Sequence, residues 1–342
     1  MLSSTLYLIF WGPAGSFPAS YTAPIIQYAK DLQADDALST DEFSVAMRYV
    51  NANAEHITGK ITLGGEDFDT TPYPARGAEG CTQGNEHCVS DAEIQEEILA
   101  QIEANKAKGW STDPAQEPTA QYLVYTPPGV SDCYKEGSST SECSNVAFCA
   151  YHTQVERTVG SEKRVATYSD LPDSPACDSG QAPTGVGANA DVDGTLDSEI
   201  HEIVESATDP EGNGYIEGEE EVADKCAELT APQETYGTPL GGNLLEDTAF
   251  NQLINGHSYY TQQIWSNAPT QTPTSTKSGE AAGCVARIGP TPSFTAPATG
   301  QTGVAMEFNG SSSYDISEPI SAYEWNFGDG SPPETTAGAT PT

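Results

Sequence analysis

The sequence predicts an α/β or α+β domain built on a mixed sheet, followed by a small β-sandwich. Helix-period and strand-period segments alternate through the first 265 residues, as a layered domain of that class requires. The pattern changes after Gly289-Pro290-Thr291-Pro292, beyond which no helical period occurs. Eight cysteines, an even number, sit in Gly-, Asn- and Ser-rich stretches and point to disulfides rather than to a zinc ribbon. These features place one domain at residues 1–288 and a second at 289–342, in line with about 100–200 residues per domain.

Taken in order, Leu6-Tyr7-Leu8-Ile9-Phe10-Trp11 reads as a first strand and Gly12-Pro13-Ala14-Gly15 as its turn. Ala23 to Leu32 carries Ile25, Ile26, Tyr28, Ala29 and Leu32 at roughly helical spacing. Segment 57–75 alternates and ends in Pro, as a strand followed by a loop does. The clearest helix is Ala92 to Lys108: Ser90 and Glu93 form a capping box, Ile94, Ile98 and Ile102 repeat on one face, and Gly109 is placed to stop it. Ala120 to Tyr125, Val146 to Val155 and Arg164 to Tyr168 are strand-like. A second firm helix, Ser198 to Thr208, is closed by Asp209-Pro210. Segment 267–279 is a Thr-, Pro-, Ser- and Gln-rich loop or linker, and Cys284-Val285-Ala286 returns to the first domain. The tail then offers strands at Ser293-Phe294, Val304 to Phe308 and Ile320 to Phe327.

Thirteen Lys plus Arg against 50 Asp plus Glu give the 342-residue chain a formal net charge of −37. Nucleic acid is excluded as a partner, because phosphate contacts need clustered cations. The same surplus predicts self-repulsion at low salt and a stability that rises towards molar salt. No run approaches the roughly 18 apolar residues of a membrane helix, so no transmembrane segment is expected. Leu6 to Trp11 is about half the length of a signal h-region and has no basic residues ahead of it, so the start reads as truncated. Disulfides imply an oxidising compartment, and separation and neighbours favour Cys81–Cys88 and Cys226–Cys284 as two of the bridges.

The chemistry concentrates on helix Ser198 to Thr208, which carries His201-Glu202-x-x-Glu205. Residues four apart share a helix face, so His201 and Glu205 are placed to grip one cation, with Glu202 beside it to activate a water. This is the zincin pattern H-E-x-x-H with Glu in place of the second His, so a zincin-like fold is one expectation. A zinc shell of two His and one Glu needs a further ligand, for which His152, His257 and Asp209 are the candidates. His87, in a Cys-flanked loop, and His56, in a polar stretch, are weaker ones. The competing reading is an ordinary acidic helix in which His201 is hydrogen-bonded to a neighbour.

Calcium is the alternative cofactor. Asp209, Glu211, Asn213, Glu217 and Glu220 fall at positions 1, 3, 5, 9 and 12 of an EF-hand spacing, with Gly214 at 6 and Ile216 at 8. Val222 to Leu229 would be the following helix. Pro at position 2, Glu at position 3 and the lack of a paired second loop depart from that pattern.

Two resemblances add to this reading. Ser321 to Ser331 (SAYEWNFGDGS), preceded by Phe308-Asn309-Gly310-Ser311-Ser312-Ser313, resembles a polycystic-kidney-disease (PKD) repeat, an immunoglobulin-like sandwich, over residues 290–342. That resemblance implies that Trp325 packs between the sheets and that Gly328-Asp329-Gly330 makes a tight turn. The closing His-x-Tyr and last strand of such repeats are missing, so the sandwich is expected to be incomplete. PKD repeats serve as spacers or as weak binders of polysaccharide or protein on secreted and surface proteins of bacteria and archaea.

The order of segments over about residues 5–287 resembles the phosphate-induced protein (EXORDIUM-like) family, in its bacterial HE-x-x-E branch. The matching stretches are Tyr7 to Gly12, Tyr122 to Pro127, Phe148 to His152, Val192-Asp193-Gly194, His201 to Pro210, Asp224-Lys225-Cys226 and Tyr260 to Asn267. The family implies an extracellular place and no settled activity. A metal site at His152, His201, Glu202, Glu205 and Asp209 is inferred from their chemistry.

Two functions follow. The first is a secreted zinc-dependent hydrolase, most simply a peptidase, with His201, Glu205 and His152 as ligands and Glu202 as general base. The second is a secreted or cell-surface protein without catalysis, binding wall polysaccharide or extracellular protein, and the departures from H-E-x-x-H favour it slightly.

Overall fold

The computed structural model describes residues 1–35, 41–73, 87–111, 119–134, 142–144, 147–159, 162–173, 190–218, 220–227, 236–237, 239–243, 248–267, 283–287, 294–297, 299–300, 305–313, 320, 322–325, 327 and 334–339. The chain forms two compact units, Met1–Ser266 with Cys284–Arg287, and Asn267–Gly283 with Ile288–Thr342.

The first unit is a mixed α/β structure with several sheets. Its elements run β1 (Ser4–Trp11), α1 (Ala19–Asp35), β2 (Ile61–Asp69), β3 (His87–Ser90), α2 (Asp91–Ala104), β4 (Ala120–Thr126), β5 (Val130–Tyr134), β6 (Glu142–Cys143), β7 (Tyr151–Val159), β8 (Glu162–Pro172), α3 (Ala190–Thr208), α4 (Asp224–Ala227), β9 (Gln252–Ile254), β10 (His257–Tyr259), β11 (Ile264–Ser266) and β12 (Gly283–Val285). The main sheet has the order β2-β1-β4-β8-β7. β1 is parallel to β2 and β4, and β4 to β8, whereas β7 is an antiparallel edge strand against β8. β3, β5 and β6 form a second sheet, and β9–β10 and β11–β12 are small pairs.

Helices cover the main sheet on both faces, which is why β1 is buried at every residue but Thr5 and β4 at every residue, rather than alternating. On one face Ile94, Ile98 and Ile102 of α2 pack against Tyr7, Ile9, Tyr122, Val124 and Tyr168. On the other, Gln121 of β4 donates to the carbonyl of Ile203 in α3, and α1 joins α3 through Tyr21 and Thr195.

The α2 capping box forms as expected: the Ser90 amide and hydroxyl both donate to Glu93 Oε2 at 2.8 Å. The helix stops earlier than its sequence pattern, at Ala104, and Lys106–Lys108 tightens into a 3₁₀ turn ending on Gly109 at φ +100°. α1 begins at Ala19, ahead of the expected Ala23, because the carbonyl of Pro18 accepts from the amides of Tyr21 and Thr22. β7 begins at Tyr151, not Val146: Tyr151 pairs with Asp170, and two residues further the partner would be Pro172, which has no amide hydrogen to donate. α3 starts at Ala190, ahead of the expected Ser198, and takes in Val192-Asp193-Gly194.

Disulfides Cys133–Cys143 and Cys226–Cys284 close the β5–β6 hairpin and tie α4 to β12. The second is the pairing the sequence favoured. Cys88 and Cys149 are also disulfide-bonded, whereas Cys81 lies outside the described residues.

In the second unit β13 (Tyr323–Trp325) pairs antiparallel with β14 (Glu334–Thr336), and Thr295 bridges Asn309. Trp325 is buried between Phe294 and Phe308 and donates its indole N–H to Thr336 Oγ1. Gly328-Asp329-Gly330 lies outside the described residues.

Candidate metal centre

Three elements meet at the C-terminal half of α3: the helix itself, edge strand β7, and the turn 221–224 leading into α4. On α3 the i, i+4 spacing brings His201 Nε2 to 3.1 Å from Glu205 Oε2. Asp224 Oδ1 stands 3.3 Å from the same nitrogen. The other Glu205 oxygen, Oε1, accepts from the amides of Ala223 and Asp224 at 2.9 and 3.1 Å, which anchors the turn against the helix.

The second nitrogen of His201 decides what the first can do. Nδ1 lies 3.3 Å from Gln262 Oε1, and the Gln262 amide is oriented because its Nε2 donates to the Ala223 carbonyl at 3.2 Å. Nδ1 is therefore the protonated donor, and Nε2 turns its lone pair towards two carboxylate oxygens. A lone pair against two acceptors is repulsive unless a proton or a metal ion lies between them.

His152 repeats this geometry from β7. Its Nδ1 is 3.2 Å from Glu202 Oε2 and 3.8 Å from Glu205 Oε2, and its Nε2 is 3.1 Å from the Asp209 carbonyl and 3.7 Å from Glu221 Oε1. His152 is only 5% exposed. Burial opposes its charge, but the Glu202 hydrogen bond and the charges of Glu202, Glu221 and Glu205 outweigh that and push the imidazole up to about 9. The same balance holds His201 well above the usual histidine range, against burial and chiefly through the Glu205 charge. Burial raises Glu221 to about 8 and also raises Glu202, where the two histidines pull back. Two imidazoles thus face the four carboxylates of Glu202, Glu205, Glu221 and Asp224. Without a cation the cluster compensates this surplus by holding protons.

Among the described residues, two groups bring three ligand atoms within 4.8 Å of one another: His201, Glu205 and Asp224, and His152, Glu205 and Glu221. The expected set of His201, Glu205 and His152 is therefore divided between two groups that share Glu205. An imidazole with two carboxylates suits zinc and other first-row divalent ions.

Other candidates fall elsewhere. Asp209 is buried, and its Oδ1 accepts from the amides of Asn213 and Gly214 at 2.6 and 2.7 Å, so this oxygen folds the loop, while its carbonyl lies 3.1 Å from His152 Nε2. Gly214 is required there, since a Cβ would meet the Thr208 carbonyl at 2.4 Å. Among the described residues the EF-hand arrangement is not assembled: Glu211 and Glu220 are exposed, Glu217 pairs with Lys225, and α4 begins at Asp224, two residues after the expected Val222, with residues 228 and 229 outside the described residues. His257 serves a different cluster, its Nδ1 2.7 Å from buried Asp31, which also accepts from Asn255 and Tyr259. His56 bonds the Met47 carbonyl, and the side chain of His87 lies outside the described residues.

None of Asp224, Glu221 and Gln262 is a ligand candidate in the sequence, where Asp224 stands only within the matching stretch Asp224-Lys225-Cys226. Asp224 follows Glu205 by 19 residues, a separation that marks nothing in a chain with 50 acidic residues.

Residues 288–342 match the family model of the PKD domain. This part of the chain is an extracellular-type module, and its β-pairs and buried Trp325 are consistent with an immunoglobulin-like sandwich. No curated protein and no solved structure matches the chain. These comparisons lend no support to the phosphate-induced protein resemblance of residues 5–287. No helix among the described residues is long and apolar enough to cross a membrane.

Proposed function

We propose that the first unit is a zinc-dependent hydrolase of a secreted or cell-surface protein, with His201, Glu205 and Asp224 holding the ion and Glu202 as general base. The supporting observation is the placement of His201 Nε2 against Glu205 Oε2 and Asp224 Oδ1 while Nδ1 is engaged by Gln262. That is how a ligating histidine is usually oriented, one nitrogen held from behind and the other presented. Zinc bound there supplies Lewis acidity, which activates water at neutral pH and polarises a substrate carbonyl.

The chain's own residues supply the rest. Glu202 precedes Glu205 on the same helix and its Oε2 is held by His152, so its carboxylate is fixed rather than free to rotate. A proton taken by Glu202 stays on its carboxyl until a leaving group takes it, while His152 Nδ1, 3.2 Å away, keeps that carboxyl oriented. The neighbouring amides on Glu205 Oε1 keep that ligand from swinging out. Peptide is the first substrate class to test, with wall polysaccharide or extracellular protein as the polymer reached through the PKD module.

Elemental analysis of dialysed protein beside His201→Ala tests the ligand set, and a peptide screen beside Glu202→Gln tests the chemistry. Zinc that survives dialysis and is diminished in His201→Ala, with turnover lost in Glu202→Gln, is the expected result. Metal-free wild-type protein with unchanged melting in added zinc would overturn the reading and leave a non-catalytic binding protein.

A further inference from the structure

We propose a second divalent-cation position in the same centre, between His152, Glu205 and Glu221, so that Glu205 bridges two ions. This rests on the metal reading of the first position, with which it shares one ligand.

The observation that carries it is the environment of His152 Nε2. If Nδ1–H donates to Glu202, the Nε2 lone pair faces the Asp209 carbonyl oxygen at 3.1 Å and Glu221 Oε1 at 3.7 Å. Both are acceptors, so a positive centre belongs between them. Glu221 Oε1 has no hydrogen-bond partner although the atom is buried, and the side chain is only 20% exposed. An unpaired buried carboxylate oxygen costs free energy unless a cation or a proton meets it.

The shared residue has the shape a bridge needs. Glu205 commits Oε1 to the amides of Ala223 and Asp224, its Oε2 stands 3.1 Å from His201 Nε2, and one ligand atom each of His152, Glu205 and Glu221 lie within 4.8 Å of one another. Glu202 acquires a second duty: its bond to His152 Nδ1 fixes the tautomer that leaves Nε2 free to bind, the carboxylate–histidine–metal relay of many metal sites. One imidazole, two carboxylates and a main-chain carbonyl form an oxygen-rich set suited to Mn²⁺ or Zn²⁺.

The test is metal stoichiometry and coupling in the intact chain. Wild-type protein saturated with Zn²⁺ and desalted should hold about two ions per chain, His152→Ala and Glu221→Gln about one each, and Asp224→Asn about one. Reconstitution with Mn²⁺ should show the exchange-coupled paramagnetic resonance spectrum of a close pair, replaced in Glu221→Gln by that of an isolated ion. Glu221 is partly exposed, so Glu221→Gln stays informative if His152→Ala fails to fold. About one ion in wild type, lost in Asp224→Asn and kept in Glu221→Gln, would overturn the second position and leave the first intact. Two ions kept in both His152→Ala and Glu221→Gln would overturn its location. No metal under any condition would overturn both readings.

Discussion

Glu205 divides its carboxylate between structure and site: Oε1 accepts the Ala223 and Asp224 amides, and Oε2 stands 3.1 Å from His201 Nε2. One side chain thus both docks the turn 221–224 on α3 and presents an oxygen to the imidazole one helical turn away. Any change at Glu205 therefore acts on fold and site together, which makes the residues behind the ligands cleaner probes.

Gln262 is the first of these. Replacing it by Leu removes the acceptor for His201 Nδ1, frees the imidazole to change tautomer, and should weaken zinc binding by about 10–100-fold while the fold persists. Gln262→Glu keeps an acceptor and should retain more of the affinity. Competition titration against a chromogenic chelator reads both, and equal affinity in wild type and Gln262→Leu would remove this residue from the site.

A pH-dependent stability term lies far from the metal centre, at Glu97 on α2. Burial, then a hydrogen bond with Asp69, raises this carboxyl from 4.5 to about 8. Between those values the folded protein holds a proton that the unfolded chain has lost, so stability falls as pH rises across that window and levels above it. Glu97→Gln should make that part of the profile shallower, with Glu221, also raised to about 8, keeping part of the slope. Urea midpoints at intervals from pH 4 to pH 9 check it, and an unchanged slope would show that Glu97 does not titrate there.

The Cys226–Cys284 bridge closes a separation of 58 residues and anchors the turn that carries Asp224. Loop-closure entropy puts its contribution at about 4 kcal/mol as an upper figure. Replacing both cysteines by Ser should lower the unfolding free energy by that order and weaken metal binding in parallel. Loss of stability with metal affinity unchanged would separate the bridge from the site.

The charge of −37 predicts a melting temperature that rises from low to molar NaCl, as screening shortens the reach of like-charge repulsion. Calorimetry across that range decides it. A melting temperature indifferent to salt would show that the acidic groups are spaced widely enough not to repel.

Local rules made much of the first unit readable in advance. α2 followed from a capping box and a repeating Ile face, and both formed. β4 followed from the run Tyr122-Leu123-Val124-Tyr125, as a strand covered on both faces needs, whereas β8 extends to Glu162 and Pro172 on either side of the strand-like Arg164 to Tyr168. Ends were less readable. β7 starts where pairing with β8 becomes possible, and that depends on a proline in the partner strand.

By itself the sequence determined the helix that bears His201, Glu202 and Glu205, since a spacing of four residues fixes their common face before any tertiary contact exists. It also determined the acidic surplus and the tail that matches the PKD domain. Only the tertiary structure decided which side chains complete the centre. His152, Glu221, Asp224 and Gln262 reach it from an edge strand, a turn and a loop, and His257, equally plausible from its residue type, is carried instead to Asp31. The physical reason is range: helical spacing acts over a single turn, whereas a coordination sphere closes through contacts set by the sheet register and by the tether between Cys226 and Cys284.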